Sequence, residues 1–403
     1  MSPSTKAAVN SGNRTIGRIY NGILIVSYAE YPGAFGLSKR IEGIRSILSN
    51  NGVPNLVLCP LSTEDLTQQN GIVNLGPAFF GKLRQSTLGR ALAIAIFSLM
   101  CIPPIIASSI ERKLVIQYES LFSAFPAIVA KVLLRQKIIG DEVILMSYDM
   151  QPPLRYFIHA LDRFLVRMTD HIATSSRTSY AVIREWFPTK SVSLVPNGVV
   201  PVEDKHTRVL DMHEAIFVGA LSSCENRGAV QNVLSLARIL EQKGIRFHTY
   251  IVGGPLAFVT QHLNDQMVKQ GRVTFTGILS DEALLALYKR TSIGLLPFFT
   301  SSSGGQRIKG LEYLAHGLLV ISGPHGFGYL PEISSQKQYL QAEDVQGMGE
   351  LIAKCVSDPT RYSRVAVAGR TFVESRFSWA AVCKPYMDIV RKLLRSSNPA
   401  EVK

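Results

Sequence analysis

Short apolar runs alternate with amphipathic segments along the first half of the chain. Residues 22–27 are a β-branched run of the kind that a parallel sheet buries on both faces. The segment that follows predicts a helix, because Ile41, Ile44 and Leu48 recur on one side of it. Further strands are predicted at 53–59, 114–118, 143–147, 171–174 and 192–195.

The same alternation restarts after a polar linker at 202–208. Ser280 is a predicted N-cap for a helix over 281–289. Strands are predicted at 215–219, before Pro255, at 273–277, at 293–298 and at 318–322. Repeated strand–helix units in both halves predict an α/β protein with two doubly wound domains, whose ligands bind at the carboxyl ends of the strands in the cleft between them.

Composition narrows the class of protein. The 403 residues include 43 Lys and Arg against 30 Asp and Glu, a net charge of +13, and the excess lies in both halves rather than in a nucleic-acid-binding tail. This charge suits an anionic substrate or membrane. The five cysteines form no C-x-x-C pair, which argues against a disulfide framework or a zinc site and favours the cytoplasm. Residues 1–20 are predicted to be a disordered leader.

One apolar stretch, 91–107, is nearly long enough to span a bilayer and has basic residues on both sides. Pro103 and Pro104 are expected to end its helix early. A buried core helix, an in-plane membrane helix and a true span all remain open. Basic residues that could extend a membrane-facing surface, or form an ordinary solvated face, are Lys131, Arg135, Lys137, Arg155, Arg163 and Arg167.

The segment 303–317 carries the strongest chemical signal. It predicts a glycine loop followed by a helix, between the apolar runs 293–298 and 318–322. Arg307 and Lys309 stand at the helix N-terminus, where backbone N–H groups and the helix dipole favour an anion. Glu312 follows and can meet a hydroxyl group. Together these groups fit a sugar nucleotide.

The run G-G-x-R-x-K-x-x-E-x-x-A-x-G over 304–317 strongly resembles the donor site of retaining GT-B glycosyltransferases of the group 1, family 4-like type. The P-N-G-V turn at 196–199, the strand ends at 218–219 and 252–255, and Phe377-Ser378-Trp379 are similar to other motifs of that family. The resemblance implies a GT-B fold of two Rossmann-like domains facing a central cleft. The expected parts are an acceptor-binding domain at 21–204, a nucleotide-sugar-binding domain at 205–380 and a C-terminal helix at 381–403 that packs back toward the first domain.

The resemblance also implies roles for single residues. Arg307 and Lys309 would bind the donor diphosphate, and Glu312 the ribose hydroxyls. The glycines that would let the backbone approach the donor are Gly33, Gly36, Gly219, Gly304 and Gly305.

The chain departs from the family pattern at two places. The first glutamate of the common E-x7-E pair is replaced by Gly304, and Tyr148-Asp149 stand where many relatives have a histidine. Asp149 could orient or deprotonate the acceptor hydroxyl, and Glu119 is its rival. His316, near the helix end, is expected to cap or pack rather than to catalyse.

The expected enzyme is a hexosyltransferase of glycan biosynthesis that needs neither nucleic acid nor a cofactor. It would move a hexose from a nucleoside diphosphate sugar to a glycan or lipid-linked acceptor, with retention. The chain has no Asp-x-Asp motif, in keeping with metal independence. A sugar-nucleotide 2-epimerase and a catalytically silent nucleotide-sugar-binding relative are the alternatives. The expected location is cytoplasmic, peripheral on the cytoplasmic membrane face.

Overall fold

A computed structural model of the protein describes residues 21–29, 31–33, 36–60, 71–76, 80–83, 87–109, 114–141, 152–175, 177–202, 211–300, 308–327, 330 and 332–396. Within these ranges the chain forms two parallel sheets with helices between the strands.

The first sheet has seven strands in the order β3-β2-β1-β4-β5-β6-β7. Its strands are β1 Ile23–Val26, β2 Asn55–Cys59, β3 Ile72–Asn74, β4 Val115–Tyr118, β5 Lys137–Asp141, β6 His171–Thr174 and β7 Val192–Leu194. All four residues of β1 are fully buried, and β1 pairs in parallel with both β2 and β4. This central position explains why β1 carries no polar residue.

The second sheet has six strands in the order β10-β9-β8-β11-β12-β13. Its strands are β8 Glu214–Val218, β9 His248–Val252, β10 Val273–Gly277, β11 Ile293–Leu296, β12 Leu319–Ser322 and β13 Leu340–Gln341. Strands β11 and β12 are buried along their whole length and pair in parallel.

Fifteen helices lie between or after these strands in the part of the chain that the structure describes. The first eight are α1 Gly36–Asn50, α2 Phe80–Leu83, α3 Thr87–Ser109, α4 Leu121–Leu134, α5 Leu154–Met168, α6 Arg177–Trp186, α7 Cys224–Gln242 and α8 Leu256–His262. The others are α9 Gln266–Lys269, α10 Asp281–Arg290, α11 Ile308–Ala315, α12 Val345–Ser357, α13 Pro359–Arg376, α14 Trp379–Val382 and α15 Lys384–Ser396.

The predicted fold class is confirmed: both sheets are parallel α/β sheets of the Rossmann type. Ser280 begins α10 as predicted, because its side chain accepts a hydrogen bond from the backbone N–H of Ala283 at 3.3 Å. Strand β5 was missed. Its run is short and begins and ends on charged residues, whereas the more apolar predicted strand at 143–147 lies outside the described residues.

The prediction that Pro103 and Pro104 end their helix is wrong, since α3 continues through both to Ser109. A proline removes the hydrogen bond to the carbonyl four residues earlier. Those carbonyls belong to Leu99 and Met100, which are exposed residues on α3.

The chain divides into two compact units. The first comprises residues 1–33, 48–141 and 390–403, and the second comprises residues 34–47 and 142–389. Both units are therefore discontinuous in sequence. The predicted domain boundaries at 21–204, 205–380 and 381–403 stay predictions.

Candidate functional site

Helix α11 and the strands beside it build the candidate site. Two glycines allow α11 to lie directly on the sheet: a Cβ at Gly294 would stand 2.4 Å from the ring of Tyr313, and a Cβ at Gly310 would stand 2.9 Å from Cδ1 of Leu296 in β11. The hydroxyl of Tyr313 also accepts a hydrogen bond from the backbone N–H of Val218 at 2.8 Å. The start of α11 is thereby held against the carboxyl-end region of the sheet, where ligands of such folds bind.

Lys309 and Glu312 form an ion pair in the first turn of this helix. The Nζ atom of Lys309 donates to Oε2 of Glu312 at 2.7 Å. Their side chains are 30% and 21% exposed, so both charges are partly desolvated but accessible to a ligand. The predicted cation and the predicted carboxylate are thus adjacent, as their spacing of three residues on a helix requires.

Tyr288 of α10 contacts the same carboxylate. Its hydroxyl donates to Oε2 of Glu312 at 3.3 Å, and the residue is only 4% exposed. Burial, followed by the negative charge of Glu312, raises the pKa of Tyr288 well above its ordinary value. Tyr288 therefore remains protonated and acts as a fixed donor that orients Glu312.

His316 packs behind this pair. Its ring stacks on Tyr288 with the centroids 4.4 Å apart and the planes at 27°. Burial lowers the pKa of His316 to about 4. The charge of Glu312 opposes this effect, and the nearby cations Arg370 and Lys309 add to it. His316 is neutral at neutral pH and supports Tyr288 by packing, in keeping with the packing role expected for it.

Gly219 lies directly after β8, at the carboxyl end of the strand. Its backbone N–H donates to the carbonyl of Val252 at 3.0 Å. A Cβ at Gly253, where φ is +142°, would stand 1.9 Å from the carbonyl oxygen of Gly219. The two strand ends are therefore held by close backbone packing that side chains would prevent.

Helix α1 brings a further cation to this region. The Nζ atom of Lys39 donates to Oδ2 of Asp281 at 3.1 Å. Burial opposes the charge of Lys39, but the bond to Asp281 and the charges of Glu42, Asp281 and Glu312 together raise its pKa. A Cβ at Gly36 would stand 3.1 Å from the Cδ1 atom of Ile308, so the starts of α1 and α11 are close to each other.

The other predicted residues belong to the first unit or lie outside the described residues. Gly304, Gly305, Arg307 and Asp149 lie outside the described residues. Gly33 follows β1 in the first unit. In the same unit Glu119 follows β4, is 1% exposed, and has its backbone N–H bonded to Oγ of Ser123 at 3.1 Å.

Sequence reasoning missed Tyr288 and Lys39 as members of the site. Neither carries a motif: Tyr288 reaches Glu312 only when α10 packs beside α11, and Lys39 reaches Asp281 only through the packing of α1 and α10. Within the described ranges, no three His, Cys, Asp or Glu side chains converge in a way that could hold a metal ion.

The part of this cluster that lies in the second half of the chain is similar to a known protein family. Residues 213–358 match the family model described as Glycosyl transferases group 1. This range includes Tyr288, Lys309 and Glu312. No curated protein matches the chain.

Solved structures share the fold of the chain at low sequence identity. Sucrose-phosphate synthase from Thermosynechococcus elongatus has a TM-score of 0.70 at 14% identity, with 93% of this chain and 100% of that chain covered. Anabaena HepE in complex with UDP has a TM-score of 0.66 at 13% identity, with 92% and 100% covered. A glycosyltransferase from Rickettsia africae has a TM-score of 0.67 at 13% identity, with 93% and 100% covered.

These likenesses show a GT-B fold. Within that fold, residues 213–358 are similar to the group 1 glycosyl transferase model.

Proposed function

We propose that the protein is a hexosyltransferase that uses a nucleoside diphosphate sugar as donor. The observation that carries the proposal is the Lys309–Glu312 pair at the start of α11, within the matched domain. A cation at a helix N-terminus favours a diphosphate, and an oriented carboxylate favours ribose hydroxyls. Anabaena HepE, which shares the fold, was solved in complex with UDP, and this supports a nucleotide donor here by analogy.

Lys309 and Glu312 pair with each other at 2.7 Å. Donor binding would exchange these partners: the diphosphate would take Lys309, and the ribose would take Glu312. Tyr288 would then hold the carboxylate in place after Lys309 leaves it. The hydrogen bond from Tyr288 would therefore contribute most to the orientation of Glu312 in the donor complex.

The chemical step would transfer the hexose to an acceptor hydroxyl with retention at the anomeric carbon. As the bond to the sugar breaks, the leaving diphosphate gains negative charge. Arg307, Lys309 and the N–H groups of α11 would stabilise that charge without a metal ion. Asp149 and Glu119 are the candidates for orienting or deprotonating the acceptor hydroxyl, which would belong to a glycan or lipid-linked acceptor on the cytoplasmic face of a membrane.

Donor binding is tested by thermal shift with UDP-, GDP- and ADP-sugars. One donor is expected to stabilise the wild type, and Lys309→Ala and Glu312→Ala are each expected to remove most of that shift. Lys354→Ala, which removes an exposed lysine on α12, is the matched control. No shift with any donor, or an equal loss in the control, would overturn the assignment of the site.

Product analysis then tests the reaction. Donor-dependent glycosylation of an added lipid or glycan acceptor supports transfer. An isomerised sugar nucleotide formed without an acceptor would identify an epimerase instead, and binding without any product would identify a silent relative.

A further inference from the structure

Helices α3 and α4 pack against each other in the first unit, and each exposes a stripe of large apolar side chains. On α3 the stripe follows a spacing of seven residues: Leu92, Leu99 and Ile106. On α4 the most exposed members are Val132 at 59% and Leu133 at 72%. Only 39% of the window Ala91–Ser109 is buried, whereas a core helix would be mostly buried.

The opposite face of α3 is anchored in the protein core. Ala93, Phe97 and Cys101 are no more than 1% exposed. Tyr28, next to β1, links the two helices because its ring lies 5.8 Å from that of Phe97 and 6.0 Å from that of Phe122. Helix α3 is long and apolar enough to cross a membrane, but this anchoring favours a helix that lies in the plane of a surface, with its outer face uncovered.

The charge around these helices identifies the surface that would cover them. Residues 80–137 contain eight Lys and Arg against two Asp and Glu, and Glu119, one of the two acids, is buried. Neither α3 nor α4 contains an acidic residue. Lys131 and Arg135 flank the exposed pair Val132 and Leu133.

We propose that this α3–α4 surface docks on an anionic lipid bilayer. The apolar stripes would enter the boundary between head groups and acyl chains, while Lys131 and Arg135 would meet lipid phosphates. A second copy of the chain fits less well, because a symmetric contact would place the same basic segments against each other. The docking does not depend on the proposed reaction, although it would bring a lipid-linked acceptor within reach.

The test measures how the full-length protein partitions onto sedimented vesicles, without any sugar nucleotide. Binding is expected to vesicles of phosphatidylcholine with phosphatidylglycerol, to weaken as salt rises, and to be much weaker with phosphatidylcholine alone. Leu99→Asp and Leu133→Asp are each expected to weaken partition about tenfold, since each removes a side chain whose burial contributes ~1.5 kcal/mol or more.

A double charge reversal tests the electrostatic contribution to vesicle binding, and a further variant serves as the control. Lys131→Glu combined with Arg135→Glu should weaken binding to the anionic vesicles and reduce its salt dependence. Val367→Asp changes a residue on α13 that is 52% exposed, and it is the control expected to bind as the wild type does.

Three results would overturn the proposal. They are no partition onto anionic vesicles, an equal loss in the Val367 control, and a concentration-dependent dimer in light scattering that Leu99→Asp and Leu133→Asp dissociate. The last result would assign the surface to a second copy. Because no donor is present, failure here leaves donor binding untouched, and loss of donor binding would leave vesicle binding untouched.

Discussion

Replacing Tyr288 with phenylalanine tests how the site orients its carboxylate. The change removes one hydroxyl and keeps the ring that stacks on His316. Glu312 keeps its ion pair with Lys309 in the free protein. In the variant, Glu312 would have neither the Tyr288 hydroxyl nor Lys309 as a donor once a diphosphate has taken Lys309. We therefore expect Tyr288→Phe to weaken donor binding more than it weakens folding.

The size of the effect follows from the geometry. Hydrogen bonds to charged groups contribute about 1.5–3 kcal/mol. The distance of 3.3 Å between the hydroxyl and Oε2 is long for an O–H···O bond, which places this one at or below the lower end of that range. A loss of about 1 kcal/mol corresponds to a roughly fivefold higher donor Kd.

Isothermal titration with the donor, together with steady-state kinetics, measures this loss. The donor Kd and KM should rise together while kcat changes less, because Tyr288 contacts Glu312 and not the reacting atoms. Tyr339→Phe removes the hydroxyl that donates to Gln341 at 2.9 Å and serves as the control. In Glu312→Gln, adding Tyr288→Phe should cost less than it does in the wild type. An unchanged Kd in Tyr288→Phe, or equal costs in both backgrounds, would refute the positioning role.

Three other predictions concern packing and protonation in the second unit and can be measured by urea unfolding. Gly294→Ala should lower the free energy of unfolding by about 2 kcal/mol and weaken donor binding, because the new Cβ would displace Tyr313 and with it α11. Arg40→Leu should cost about 3 kcal/mol, since fully buried Arg40 donates to Oδ1 of Asn197 and to the carbonyl of Val195, each at 3.0 Å, and both buried acceptors would lose this donor. His316 has a folded pKa of about 4, below its value of about 6.5 in the unfolded chain, so the unfolded state binds more protons between these values. Stability from this group is complete above pH 6.5 and is lost as the pH falls toward 4, and His316→Gln should flatten the profile in that window.

Each of these three predictions has a contradicting result. A Gly294→Ala protein with unchanged stability would show that Tyr313 does not fix α11 against the strand. Unchanged stability in Arg40→Leu would mean that Asn197 finds another donor. An identical pH profile with and without His316 would assign the acid sensitivity to other groups.

Much of the fold follows from local pattern in the sequence. Buried parallel strands such as β1 and β11 must be apolar on both faces, so they stand out without any knowledge of their neighbours. Helix starts such as Ser280 depend on one side chain and the next turn of backbone. Strand β5 was missed because the longer apolar run at 143–147 was predicted as the strand in place of the shorter run at Lys137–Asp141.

The contacts of the candidate site also divide into those that local sequence predicts and those that depend on tertiary packing. Lys309 and Glu312 lie three residues apart on one helix, and local geometry alone makes them neighbours. The partnership of Tyr288 with Glu312 arises only when α10 and α11 pack together. The continuation of α3 through Pro103 likewise goes against the local preference of proline and was seen only in the folded structure.

The sequence by itself therefore determined the α/β class, the main strands and the charged pair on α11, because each depends on interactions within a few residues. Tertiary structure alone decided which tyrosine orients Glu312, how burial holds His316 neutral, and which faces of α3 and α4 remain exposed. These properties depend on burial and on contacts between distant segments, and neither is encoded in local spacing.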